Sequence, residues 1–257
     1  MMDKLYFGTN TKMYKTRKQT ADFVEQLYDL TIDLDQQETE LFVIPSFTAL
    51  DTAARAAAGR IRIGAQNMGW EERGPFTGEI SPLMIEETGA SLVMAGHSER
   101  RHGLGETDEE ENKKVLCALT HHLKVLLCIG ETKEEKEQET AREVLAIQLK
   151  KGLASVKKEQ LGEIWIAYEP VWAIGEGGTP ATAEYAAERH RDIRLILKEM
   201  FGDAAGKIPI LYGGSVNPEN AVELSKISDA DGLFIGRSAW DAQNFNKIIR
   251  AVLKQRN

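Results

Sequence analysis

Cysteine is nearly absent: Cys117 and Cys128 are the only two in 257 residues. Two thiols cannot staple a small secreted fold. Neither stands at Cys-x-x-Cys or Cys/His spacing, so a disulfide framework and a structural zinc site are excluded as organising principles. No apolar run approaches the ~20 residues needed to span a bilayer, and the opening Met1-Met2-Asp3-Lys4-Leu5 has no apolar core or small-residue cleavage site. The expectation is a cytoplasmic protein with reduced thiols and no membrane partner. Excess positive charge is lacking too, since 32 Lys+Arg against 40 Asp+Glu give a formal net charge of −8. Nucleic acid is therefore a poor partner, and an anionic ligand would need cations gathered locally. Proline is sparse and no Pro/Gly/Ser-rich stretch divides the chain, so one domain over 1–257 is expected.

What is present is an ordinary globular balance, 42% hydrophobic and 28% charged, at a length that can bury a sizeable core. Eight short apolar runs recur: Leu5–Thr9, Leu41–Ile44, Ile61–Ala65, Leu92–Ala95, Val125–Ile129, Ile164–Tyr168, Ile208–Tyr212 and Leu233–Ile235. Each is apolar nearly throughout instead of alternating, as parallel strands covered on both faces are. Amphipathic patterns opened by polar caps lie between them. One begins near Thr16 with Phe23, Leu27 and Leu30; others begin near Thr132, near Ala181 with Ile193, Ile196 and Leu197, and near Asp241. Strand-then-helix repeated eight times predicts an α/β architecture closed as a single (β/α)8 barrel, with an open doubly wound sheet as the alternative. The charged stretch Thr132–Thr140 reads as the solvated start of a helix. His121-His122 reads as a solvated helix end, because no carboxylate or cysteine stands at metal-ligand spacing.

In a barrel of this kind chemistry gathers where strands end. Asn10 and Lys12 follow the first run, and Gly96-His97-Ser98-Glu99-Arg100-Arg101 the fourth. Glu169 follows the sixth, and Gly213-Gly214-Ser215 and Gly236-Arg237 follow the last two. Backbone N–H groups at glycine turns suit phosphate, although glycine after a strand also serves plain loops. Glu169, set between Tyr168 and Pro170-Val171-Trp172, has the apolar surroundings of a general base, or else is a capping or ion-paired glutamate. His97 is either a satisfied buried histidine or, if a helix starts just after it, a hydrogen-bond donor oriented by that helix. Lys12 offers positive charge to a developing oxyanion. Together these are the residue types that proton transfer beside a carbonyl requires.

Gly96–Arg101, Tyr168-Glu169-Pro170-Val171-Trp172-Ala173-Ile174-Gly175 and Tyr212-Gly213-Gly214-Ser215-Val216 resemble the signature segments of the triosephosphate isomerase family, in the same order and spacing. Gly64-Ala65-Gln66-Asn67 with Gly74-Pro75-Phe76-Thr77-Gly78-Glu79 is similar to that family's long third loop. The resemblance implies a TIM barrel and an aldose–ketose isomerase acting on a small phosphorylated sugar. It gives Glu169 the role of base, His97 that of electrophile, and Asn10 and Lys12 the substrate oxygens and charge, with Ser98 and Glu99 supporting from behind. Phosphate would rest on the backbone N–H groups of Gly175, Ser215, Gly236 and Arg237 under a lid formed by Pro170–Thr179. No metal or organic cofactor is implied. A homodimer is, through loop 68–79, with Thr77 reaching the neighbouring site.

Three positions depart from the family pattern. Thr11 stands where tryptophan is usual, Glu176-Gly177-Gly178 where a glycine-lysine pair is common, and Gly236-Arg237 where two glycines are usual. The family resemblance implies interconversion of dihydroxyacetone phosphate and glyceraldehyde 3-phosphate, and the ending Gly232–Trp240, which resembles a side branch acting on L-erythrulose 1-phosphate, makes that four-carbon substrate the alternative. A barrel that binds phosphosugars without turnover would want a defect in Asn10, Lys12, His97 or Glu169, and none is present. An aldolase would want a Schiff-base lysine, for which Lys12 is the sole obvious candidate. Gly175-Glu176-Gly177-Gly178 lacks the spacing of a dinucleotide loop, and Cys128 reads as a buried, inert thiol.

Overall fold

Eight strands pair in chain order, each parallel to the next, and the eighth returns to the first to close a barrel. The structure, a computed structural model, describes residues 4–175 and 178–255. The strands are β1 (Leu5–Asn10), β2 (Thr39–Ile44), β3 (Arg62–Ala65), β4 (Leu92–Ala95), β5 (Lys124–Ile129), β6 (Ile164–Tyr168), β7 (Ile210–Tyr212) and β8 (Gly232–Ile235). Around them run α1 (Arg17–Thr31), α2 (Leu50–Ala57), α3 (Pro82–Glu87), α4 (Ser98–Leu104) and α5 (Asp108–Thr120). They continue with α6 (Lys133–Glu137), α7 (Ala141–Gly152), α8 (Ala183–Phe201), α9 (Ala221–Leu224) and α10 (Ala242–Leu253). No helix among the described residues is long and apolar enough to cross a membrane.

The continuous apolar character of the strands has a simple cause. Along β6, Trp165 and Ala167 point into the barrel, whereas Ile164, Ile166 and Tyr168 face the helical layer, so both sets are buried. Inside the barrel the large rings of Phe42, Trp165 and Phe234 lie against one another, with centroids 5.3 and 5.7 Å from Phe42. Gly8 makes room for them, since a Cβ there would fall 2.0 Å from the Phe42 ring. The helices start where polar caps stand. Thr16 with Gln19, Thr107 with Glu110, and Thr132 with Glu135 form reciprocal capping boxes. Thr182 caps α8 and Asp241 caps α10.

Small shifts from the sequence expectation have local reasons. The seventh strand is Ile210–Tyr212 instead of Ile208–Tyr212, as Pro209 has no N–H to give a ladder. His121 is not solvated: its side chain is 11% exposed, with Nε2 3.2 Å from Glu72. His122 alone is exposed, in a left-handed conformation. The stretch after Thr132 is solvated as expected, yet Lys136 sets its ammonium 3.5 Å from the Trp172 ring centroid.

A buried charged cluster joins α4 to α5. Glu106 accepts from Arg100 at 2.8 Å and sits 2.8 Å from the Lys114 ammonium, while the fully buried Glu111 lies 3.5 Å from the same ammonium. Burial, then its hydrogen bond with Glu106, pushes Glu111 up to about 7. The cations around Glu106 hold that carboxyl low, against the opposing effect of its own burial. Folded Glu111 therefore keeps its proton when the unfolded chain has released it, so stability falls as pH rises between about 4.5 and 7 and is level above that window. Glu111→Gln, neutral at every pH, is expected to melt progressively higher relative to the parent chain as pH goes from 5 to 7. Parallel melting profiles for the two proteins would remove Glu111 as the source of the slope.

Candidate functional site

The carboxyl ends of the strands surround a cavity of ≈ 380 Å³, whose lining includes Asn10, Lys12, His97, Glu99, Glu169, Gly175, Ser215, Gly236 and Arg237. Ser98 is buried at the first turn of α4, next to the histidine in sequence and outside the lining. Thr77 is elsewhere, exposed on the loop after β3. Within the expected lid, Pro170–Gly175 and Gly178-Thr179 are described, whereas Glu176 and Gly177 lie outside the described residues.

His97 is the N-cap of α4, and its Nδ1 accepts the Glu99 N–H at 3.2 Å. A ring nitrogen that accepts carries no proton, so in the neutral ring the proton is on Nε2. That Nε2 lies 3.6 Å from Glu169 Oε1, beyond hydrogen-bond reach, and both side chains line the same cavity.

Glu169 is fixed through its backbone. Its N–H donates to Ile129 O at 2.8 Å, and Gly130 and Gly213 let the chain close around it; a Cβ at Gly213 would come within 2.8 Å of Glu169 Cγ. The carboxylate is 4% exposed, and Oε2 has no hydrogen-bond partner among the described residues. Beneath it, burial and then the Glu169 charge push the Cys128 thiol well up, so it stays protonated and inert as a nucleophile.

Lys12 adopts a left-handed backbone (φ 49°) after the β1 end, a turn closed by its own N–H on Asn10 Oδ1 at 2.8 Å. Its ammonium meets Glu99 Oε1 at 2.6 Å. Glu99 is thus not behind the site, as the family resemblance suggested. It stands on the open side with its side chain 59% exposed, because the second position of α4 aims it across the mouth at Lys12.

Three residues were not singled out from sequence. Glu131, fully buried, accepts from Tyr168 at 3.1 Å, from Trp172 at 2.8 Å and from Tyr185 at 2.9 Å. It ties the first residues after Glu169 to α8, and its place two residues past β5 was the available signal. Gln66 donates to Asn10 Oδ1 at 3.0 Å and Lys12 O at 2.8 Å. Trp240 donates its indole N–H to Asn10 O at 2.9 Å. No spacing rule reaches either contact.

The family described as Triosephosphate isomerase matches residues 5–252. An L-erythrulose-1-phosphate isomerase of Rhizobium etli is 47% identical over 251 residues, covering 96% of this chain and 92% of its own. A triosephosphate isomerase of Carboxydothermus hydrogenoformans is 44% identical over 251 residues, covering 97% and 99%. Among solved structures, the triosephosphate isomerase of Bartonella henselae superposes with a TM-score of 0.87 at 34% identity, covering 98% of this chain and 99% of that one.

Proposed function

The chain belongs to the triosephosphate isomerase family, and from this premise we propose that Glu169 and His97 move the proton of a ketose phosphate held in the ≈ 380 Å³ cavity. The observation that carries the reading is their meeting: a buried carboxylate, one of whose oxygens has no partner among the described residues, lies 3.6 Å from a ring nitrogen of the histidine. Lys12 supplies charge to the oxygens of an enediolate, and Asn10 holds the turn that presents it. The backbone at Gly175, Ser215, Gly236 and Arg237 forms the phosphate end of the cavity.

Glu169 takes a proton from the hydroxyl-bearing carbon beside the carbonyl. His97 Nε2 gives its proton to the carbonyl oxygen and takes that of the neighbouring hydroxyl, and Glu169 returns its proton to the former carbonyl carbon. From dihydroxyacetone phosphate this yields an aldose. From L-erythrulose 1-phosphate the proton leaves C3 and returns to C2, so the product is the tetrulose phosphate with its carbonyl on C3. The extra hydroxymethyl then hangs on the reacting carbon, at the end away from phosphate.

We take the four-carbon substrate as the first reading and the triose as the second. The 47% identical relative bears the four-carbon name, and Arg237 adds a guanidinium to the phosphate rim where the family usually has a second glycine. The assembly we propose is a homodimer. A second cavity of ≈ 480 Å³ shares Asn10, Lys12, His97 and Glu99 with the first and is edged by Met13 and Leu104, 95% and 67% exposed. The exposed Phe76-Thr77 of a second copy is the occupant that would cover it. The test is kcat/KM of the purified chain on both sugars, with its native mass measured alongside. A larger kcat/KM for the tetrulose and a mass near twice 28.6 kDa are expected. A larger value for the triose reverses the order of substrates, silence on both ends the reading, and a mass of one chain ends the homodimer.

A further inference from the structure

Trp240 follows β8 and the short turn at Arg237–Ala239, on the phosphate side of the cavity it helps line. Its indole nevertheless crosses the β8–β1 seam. Nε1–H donates to Asn10 O at 2.9 Å, and the ring packs tilted on Tyr14 with centroids 4.5 Å apart. On the opposite flank Gln66 Nε2 holds Asn10 Oδ1 and Lys12 O. The turn between these two clamps needs holding. Lys12 has the left-handed φ that side chains with a Cβ disfavour, and its ammonium hangs on a flexible four-carbon stem. The turn itself is closed by the Lys12 N–H on Asn10 Oδ1, so where Lys12 stands depends on where Asn10 is held.

We propose that Trp240 is a positioning residue that acts through Lys12: its indole N–H fixes the Asn10 carbonyl and so keeps the Lys12 ammonium aimed at the anionic substrate. The role of Lys12 rests on the function proposed above. The link itself is a matter of geometry and is readable without turnover.

The experiment measures the Kd of inorganic phosphate by calorimetry, with kcat and KM in parallel, for the full-length chain, Trp240→Phe, Lys12→Met and the double variant. Phenylalanine keeps an aromatic ring against Tyr14 and removes the donor. Trp240→Phe is expected to weaken phosphate binding and to lower kcat/KM by about 3- to 10-fold, the worth of one hydrogen bond, with the melting temperature held within about 2 °C. In the Lys12→Met background the same change is expected to add nothing, because the group it positions is gone. An unchanged Kd for Trp240→Phe, or the same loss with and without Lys12, overturns the proposal. Phosphate binding with silence on both sugars instead overturns the functional reading and leaves the clamp standing. Absence of phosphate binding by the parent chain overturns both.

Discussion

Glu169→Gln is expected to lower kcat by about 10³-fold or more, within or beyond the range that a positioned general base contributes, while the chain folds and melts as before. The amide has the shape of the carboxylate and nothing to take a proton from carbon with. Because Glu169 is 4% exposed and one of its oxygens has no partner among the described residues, removing its charge leaves no other buried ion stranded, so stability is not the casualty. Glu169→Asp keeps the charge and withdraws it by one methylene, roughly 1.5 Å. A misplacement of that order costs about 10²-fold in an aligned site. Exchange of the carbon-bound proton of the ketose with deuterated solvent isolates the step from product release. Glutamine is expected to abolish that exchange and aspartate to slow it. Near-normal exchange in the glutamine variant would take the base away from Glu169 and leave His97 or a bound water to explain the chemistry.

The second large effect falls on stability, far from the cavity. Arg194, on α8, is buried, with Nη1 donating to Ala205 O and Ile208 O at 2.9 Å each and Nη2 to Asp231 at 2.9 Å. Asp231 is 1% exposed and accepts the N–H of Ile210, so one ion pair ties a helix to the starts of β7 and β8. Arg194→Met takes the guanidinium away from a buried carboxylate and from two carbonyls it serves. Breaking a buried pair from one side costs about 3–5 kcal/mol, on the order of 10 °C in melting temperature at this chain length. Adding Asp231→Asn to Arg194→Met is expected to recover part of that loss, since the carboxylate that faced the guanidinium is then neutral. A single variant that melts like the parent would mean the helix is held by its apolar face alone.

These two predictions differ in how far the sequence prepared them. Glu169 was legible because a position rule finds it: a polar residue just past an apolar strand, at the end of a barrel where strands deliver their chemistry. Asn10, Lys12 and His97 were found the same way, and the structure places all four at one cavity. Glu131 obeys the same rule and was passed over, because its partners Tyr168, Trp172 and Tyr185 come from two later elements. Arg194 looked like one more charge on a long amphipathic helix. Nothing within α8 says that it faces Asp231, just before the strand that closes the barrel.

By itself the sequence determined what local physics can write: eight apolar runs, the caps Thr16, Thr107, Thr132, Thr182 and Asp241 that start helices, and the order of polar residues after each strand. Those are properties of residues within a few positions of one another. The tertiary structure decided which distant groups meet. It brought Trp240 to Asn10 across 230 positions, set the fully buried Glu111 beside Glu106 and Lys114, and turned Glu99 to the front of the site. Register around a closed barrel and the removal of water fix such contacts, and neither quantity exists until β8 has paired with β1.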